Sequence, residues 1–216
     1  MSTLRILLAD DHTLVRQGIR KILEERPGWT IVDEARDGRD AVQKALAASP
    51  DVLVIDTAMP QLNGIEATRQ IVRRLPNIRV LVVSMHADEA YVVRAVEAGA
   101  HGYLLKDSAD VDLVHAIDAV ASGKSFFSPA VASVMLDDYR RHLTGKGTVD
   151  RYESLTERER EIFQLLAEGR SNREVADLLC VSPATVETHR ARILQKLDVH
   201  NAAELVLYAV RRGVIG

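Results

Sequence analysis

Five short, mainly apolar runs, at residues 4–9, 29–32, 52–55, 80–83 and 103–105, punctuate the first 123 residues of this chain, broken only by Arg5 and Thr30. Between them lie segments of three-to-four periodicity such as "TLVRQGIRKILEE" and "DEAYVVRAVEAG". A run that stays apolar, instead of alternating with polar residues, is expected of a strand whose sheet is covered by helices on both faces. Strand and helix repeated in that order make a doubly wound parallel sheet, so an α/β domain with a five-stranded parallel sheet is predicted here.

After Gly123 the pattern changes. Residues 129–142 read as one helix, and "TGKGTVDRYES" is polar, glycine-bearing and without period, which predicts a linker. From Leu155 onward the signals are helical. Thr156 with Glu159 and Ser171 with Glu174 form capping boxes, Gly169 follows a helix, Ser182 with Pro183 opens a third, and a last helix spans residues 202–212. The expected division is a first domain at 1–123, a joining segment with one helix at 124–151, and a small all-α four-helix domain at 152–216.

Composition narrows the function classes. With 47% hydrophobic and 27% charged residues the chain is an ordinary globular protein, neither disordered nor membrane-spanning. The segment "MSTLRILLADD" reaches acid too soon for a signal peptide or a span, so a cytoplasmic protein with no membrane partner is expected. A net charge of -3 excludes a wholesale basic balance, and any DNA binding must come from a local patch. The single cysteine, Cys180, excludes an internal disulfide and is expected to be a small buried hydrophobe.

Ligand sites in open parallel sheets lie at the carboxyl ends of the strands. Reading those ends in turn gives Asp10 and Asp11, then Asp56, Ser84 and Lys106. Each has an ordinary alternative: Asp10 and Asp11 could cap the helix beginning near His12, Asp56 could be a loop residue, Ser84 could cap the helix near Asp88, and Lys106 could be solvated. Their conjunction at four ordered strand ends favours a site. Three converging carboxylates need a compensating charge, and Mg2+ prefers a few carboxylates plus a phosphate. Lys106 supplies a second positive charge. An aspartate so placed can act as a nucleophile toward a phosphoryl group.

The stretches "LLADD", "VIDTAMP", "VVSMH" and "GYLLKD" resemble the receiver domain of two-component response regulators. The resemblance implies that Asp56 accepts a phosphoryl group from a sensor histidine kinase. It implies that Asp10, Asp11, Asp56 and the backbone carbonyl of Ala58 hold Mg2+, and that Ser84 and Lys106 contact the phosphoryl group. Tyr103 would turn inward with Ser84, although core packing is its equal alternative. Ala58 and His86 sit at positions that tune phosphoryl lifetime in receivers.

On a wheel for residues 183–197, Val186, Ile193 and Leu197 share an inward face, while Glu187, Thr188, Ala191, Arg192 and Gln195 lie opposite. With the preceding short helix and the turn "CVSP", this is the layout of a helix-turn-helix, whose second helix enters the DNA major groove. From residue 150 onward ten basic residues face eleven acidic ones, yet Arg190, Arg192 and Lys196 outnumber Glu187 within the second helix. A helical packing module with a merely solvated face is the alternative.

"LTERERE", "LLAEGRSNREVADLLCVSPATVETHRARILQKL" and "NAAELVLYAV" are similar to the LuxR-type DNA-binding domain, and a receiver joined to it is the arrangement of NarL/FixJ-type response regulators. This implies that Glu187, Thr188 and Ala191 face bases of double-stranded promoter DNA, with Arg190, Arg192 or Lys196 on phosphates. Glu187 could accept from a cytosine amino group or turn to a neighbouring arginine. Leu205, Val206 and Ala209 on the last helix could close the domain's own core or pair two domains, and relatives use this helix for a homodimer. The expected function is a transcription regulator switched by phosphorylation, not an enzyme. An aspartate-nucleophile phosphatase would need an acid two residues after its nucleophile, where Ala58 stands. A phosphorylation-independent DNA binder would not need the complete pocket.

Overall fold

The computed structural model describes residues 3–143 and 151–215. The chain divides into two compact units, the first ending at residue 145. In the first unit strands and helices alternate as β1 (Leu4–Ala9), α1 (Thr13–Glu24), β2 (Trp29–Ala35), α2 (Gly38–Ala48), β3 (Val52–Asp56) and α3 (Gly64–Arg74). They continue as β4 (Arg79–Ser84), α4 (Glu89–Glu97), β5 (Gly102–Leu105), α5 (Ala109–Ala121), β6 (Phe126–Phe127) and α6 (Pro129–Leu143). All strand pairs are parallel, in the order β2-β1-β3-β4-β5-β6.

The continuous apolar runs are explained by burial on both sides. Leu7, Leu53, Ile55, Val80 and Val82 enter a core with α2, α3, α4 and α6. Their neighbours Ile6, Leu8, Val52, Val54, Leu81 and Val83 enter a second core with α1 and α5. Successive side chains point to opposite faces, and both faces are dry.

The sheet has six strands, where five were predicted. The sixth is only two residues long, and Phe126 and Phe127 pair with Gly102 and Tyr103 along the edge. Two residues cannot show a period, so edge pairing rather than patterning creates this strand. The helix expected in the joining segment is present as α6 and packs with the first unit. Val131 is fully buried there, and Val134 and Met135 pack beside it, a stripe at three-to-four spacing.

The second unit begins with a 3-10 turn at Arg151–Ser154, followed by α7 (Glu157–Ala167), α8 (Asn172–Leu179), α9 (Pro183–Leu197) and α10 (Ala202–Arg211). Part of the predicted linker is thus structured. Tyr152 is fully buried, meets Phe163 edge-on at 5.7 Å, and carries the Arg160 guanidinium 5.2 Å above its ring. The rest of that stretch, 144–150, lies outside the described residues.

Both capping boxes form, Thr156 with Glu159 and Ser171 with Glu174, and Ser182 caps α9 with Pro183 in its first turn. Leu205 and Ala209 are buried in this unit's own core, with Val206 half-buried. Cys180 overturns its expectation: it is exposed, because it ends α8 in the left-handed conformation, φ 53°, which turns its side chain outward. No helix among the described residues is long and apolar enough to cross a membrane.

Candidate functional site

Because β1, β3, β4 and β5 are consecutive neighbours in the sheet, residues at their carboxyl ends meet on one rim. Asp10 and Asp56 are buried there, Ser84 is completely enclosed, and Asp11 is partly open. Lys106 reaches across from the end of β5. Its Nζ lies 2.7 Å from Asp56 Oδ2 and 2.8 Å from Asp10 Oδ2, so one ammonium bridges two acids fifty or more positions away.

The charge balance follows from that geometry. Burial pushes the Asp56 carboxyl above its ordinary range; Lys106 draws it back, but Asp10 adds to the rise. Burial works to lower the Lys106 ammonium, yet Asp56 and Asp10 outweigh it and hold the group charged beyond its usual range. One lysine serves too many carboxylates, leaving the pocket short of positive charge.

Oxygens of Asp10, Asp11 and Asp56 and a ring nitrogen of His12 all lie within 4.8 Å of one another. Asp11 Oδ1 is buried and accepts no hydrogen bond, although His12 Nδ1 stands 2.9 Å away. A set of hard oxygen donors with an unused buried lone pair fits an oxygen-seeking divalent cation. Asp10 also serves locally, its Oδ1 accepting from the His12 N–H at 2.7 Å, while α1 has no side-chain cap.

Neighbouring residues hold the acids in place. The Asp10 N–H donates to the Ala35 carbonyl at 3.1 Å, and the Asp10 carbonyl accepts from Arg16 at 2.7 Å. Arg16 is buried and pairs through Nε with Glu34 at 3.0 Å. Behind Asp56, a Cβ on Gly64 would stand 1.7 Å from the Asp56 carbonyl oxygen, so only glycine lets α3 start so close to β3. The Ala58 N–H lies 3.5 Å from Asp56 Oδ1.

Ser84 does not cap α4. Its hydroxyl lies 2.7 Å from that of Thr57 and accepts the His86 N–H at 3.1 Å. Tyr103 is fully buried and donates its phenol to the His86 carbonyl at 2.7 Å. Burial raises the Tyr103 phenol well above its ordinary range, so it remains a donor. The His86 ring stacks on Tyr91 at 4.3 Å, with the planes only 6° apart.

The structure therefore gathers Asp10, Asp11, Asp56, Ser84, Tyr103 and Lys106 at one edge. The sequence reading missed Thr57, Arg16 and the participation of His12. For His12 and Thr57 the available signal was adjacency to the acids; for Arg16 it was a charge on the inward stripe of α1.

In the second unit, α8 and α9 flank the turn that Cys180 opens. Val186, Ile193 and Leu197 are buried, and Glu187, Thr188, Ala191, Arg192 and Gln195 are exposed, as the wheel predicts. Arg190 is half-buried. Glu187 is held by the Asn172 side-chain amide from α8 rather than by an arginine. The Thr188 hydroxyl donates back to the Ala184 carbonyl at 3.0 Å. Lys196 stands apart from this exposed set: its ammonium pairs with Glu159 at 2.6 Å and donates to the Ser154 carbonyl at 3.0 Å.

Comparison with known proteins agrees with both halves. The family model "Response regulator receiver domain" matches residues 6–118, and "Bacterial regulatory proteins, luxR family" matches residues 153–209. The transcriptional regulatory protein LiaR of Bacillus subtilis is 39% identical over 212 residues, covering 98% of this chain and 99% of LiaR. Among solved structures, the RcsB response regulator in complex with DNA superposes with a TM-score of 0.59 at 27% identity, covering 97% of this chain and 98% of that one. The isolated receiver domain of RcsB from Salmonella enterica serovar Typhimurium, determined with the phosphomimetic BeF3-, gives 0.57 at 29% identity, covering 62% of this chain and 99% of that one. A sheet whose strand ends collect three aspartates and a lysine, joined to a helix-turn-helix and matched along nearly its whole length by such relatives, places this chain in the LuxR family of two-component response regulators, transcription regulators built from a receiver and a DNA-binding domain.

Proposed function

We propose that Asp56 accepts a phosphoryl group from a sensor histidine kinase and that this modification switches DNA binding. The observation that carries the reading is the Lys106 ammonium, 2.7 Å from the buried Asp56 and 2.8 Å from Asp10. An Asp56 carboxylate oxygen forms the new bond to phosphorus as the bond to the kinase histidine breaks. Lys106 then has a more highly charged partner.

Carboxylates of Asp10, Asp11 and Asp56, with the Ala58 carbonyl, would hold Mg2+. Bound there, the ion neutralises charge on the phosphoryl oxygens. Ser84 supplies a hydroxyl to the modified group, and Tyr103 carries the change into β5. The phosphoacceptor domain is residues 1–123, the DNA-binding domain is 152–216, and 124–151 joins them. The protein acts in the cytoplasm.

On the DNA side, α9 enters the major groove of a double-stranded promoter. Glu187, Thr188, Ala191 and Gln195 face base edges, and Arg190 and Arg192 meet phosphates. Lys196 contributes through Glu159 and the α7 cap more than through DNA. The protein binds as a homodimer, and the exposed Leu207 and Val210 on α10 supply its apolar contact.

Incubation of the full chain with acetyl phosphate and Mg2+ tests this reading. Mass spectrometry is expected to find one phosphoryl adduct on Asp56, none in Asp56→Asn, and tighter promoter binding by the modified protein in a gel shift. An adduct persisting in Asp56→Asn, or DNA binding that ignores phosphorylation, sinks the reading.

A further inference from the structure

The residue after the phosphoacceptor is a threonine whose hydroxyl is committed to Ser84. The two oxygens are 2.7 Å apart, and Thr57 and Ser84 are 1% and 0% exposed. Ser84 also accepts the His86 N–H at 3.1 Å. A hydroxyl has one proton to donate and two lone pairs to receive with. Either hydroxyl can be the donor of that pair. While Ser84 donates, it cannot also donate to a phosphoryl oxygen without reversing the bond, and with either donor Ser84 can move away only by giving up Thr57.

Thr57 has no comparable exit. Its side chain is buried between strand ends, and its hydroxyl is described with no partner other than Ser84. If Ser84 leaves, a buried hydroxyl is left unpaired, which is more costly than never having one. The two arrangements of Ser84 therefore differ in free energy partly through Thr57, and any ligand that recruits Ser84 must work against that difference.

We propose that Thr57 is a latch on Ser84, a positioning residue that competes with the phosphoryl group for the Ser84 hydroxyl and so sets how readily modification of Asp56 is converted into the switched conformation. The proposal rests on the reading of Asp56 as phosphoacceptor. It assigns a function to a residue that neither donates to the phosphoryl group nor holds the cation.

The test uses the full chain, Mg2+ and beryllofluoride, a phosphoryl mimic whose binding is followed by fluorine NMR. Thr57→Val keeps the shape and removes the hydroxyl, so it is expected to bind the mimic about five- to tenfold more tightly, the factor one neutral hydrogen bond is worth. Thr57→Ala is expected to shift in the same direction should valine disturb packing, and Thr57→Ser to remain within about twofold of the parent. In a Ser84→Ala background Thr57→Val should have no further effect, since there is no hydroxyl to release.

Equal or weaker binding by both Thr57→Val and Thr57→Ala overturns the latch, as does a gain that persists without Ser84 or one that Thr57→Ser shares. If the parent protein itself binds no beryllofluoride, the Asp56 reading fails and takes the latch with it. Parent binding with an unmoved Thr57 series removes the latch alone.

Discussion

Asp10 is held by its backbone as much as by its side chain, and Arg16 is the group that holds the carbonyl end, at 2.7 Å. Its Nε pairs with Glu34, whose other oxygen is taken by Arg20 at 2.6 Å. Replacing Arg16 with glutamine leaves Glu34 half-compensated and frees the loop that carries two acids. A loss of about 2–3 kcal/mol is expected from breaking such a partly buried pair. Urea unfolding with and without Mg2+ checks it, with a smaller Mg2+ stabilisation expected in the variant.

Glu159 makes a second residue-scale case because it serves as both cap and counterion. Burial opposes its charge, but Lys196 and the Thr156 cap outweigh this and hold the carboxyl below its ordinary range. A depressed carboxylate adds stability above its unfolded value, and that stability is lost as pH falls through the lower folded value. Glu159→Gln is therefore expected to destabilise the second unit by about 1–2 kcal/mol at neutral pH. Below the usual carboxylate range the variant and its parent should converge, as denaturant titrations at pH 7 and at strongly acid pH can show.

At the scale of elements, close approach decides what a helix start will tolerate. Gly64 opens α3 with the Asp56 carbonyl where a Cβ would sit, while Gly18 in α1 has nothing within 4 Å of that position. Gly64→Ala is expected to cost about 3 kcal/mol or more and to disturb phosphorylation, since neither backbone can yield easily. Gly18→Ala should instead stabilise by up to about 1 kcal/mol through helix propensity. Thermal unfolding of the two variants, side by side, tests the contrast. Little in the sequence separates these glycines, since both lie in helices and neither has a positive φ.

Element identity was more legible than element pairing. The capping boxes at Thr156 and Ser171 are local hydrogen-bond chemistry, complete within four residues, and they appear where the sequence puts them. Strand β6 is the opposite case. It exists because the edge of β5 offers unpaired backbone groups to Phe126 and Phe127. Its following residue stays tied in as well, the Ser128 N–H donating to the Tyr103 carbonyl at 3.2 Å. Cys180 illustrates the same limit, since an apolar residue type predicts burial only until backbone geometry turns the side chain outward.

For the molecule as a whole, two separate apolar systems imply two cooperative units. The first has a sheet with a core on each face, and the second is closed around Tyr152, Phe163 and Ile193. Calorimetry of the full chain is expected to show two transitions. Mg2+ with beryllofluoride should raise only the one belonging to residues 3–143, whereas promoter DNA should raise the one belonging to 151–215. A single transition shifted equally by both ligands would show that the units unfold as one.

What the sequence alone determined is the set of things that depend on neighbours along the chain: apolar runs that demand a covered sheet, caps that start helices, and a carboxylate, hydroxyl or lysine at four of the strand ends. Tertiary structure alone decided which of those groups touch. Lys106 meets Asp56 and Asp10 because β1, β3, β4 and β5 lie side by side, and Ser84 meets Thr57 because β3 and β4 are in register at their ends. Distances of a few ångströms between residues far apart in the chain are set by packing, and charge compensation in a buried pocket is decided at those distances.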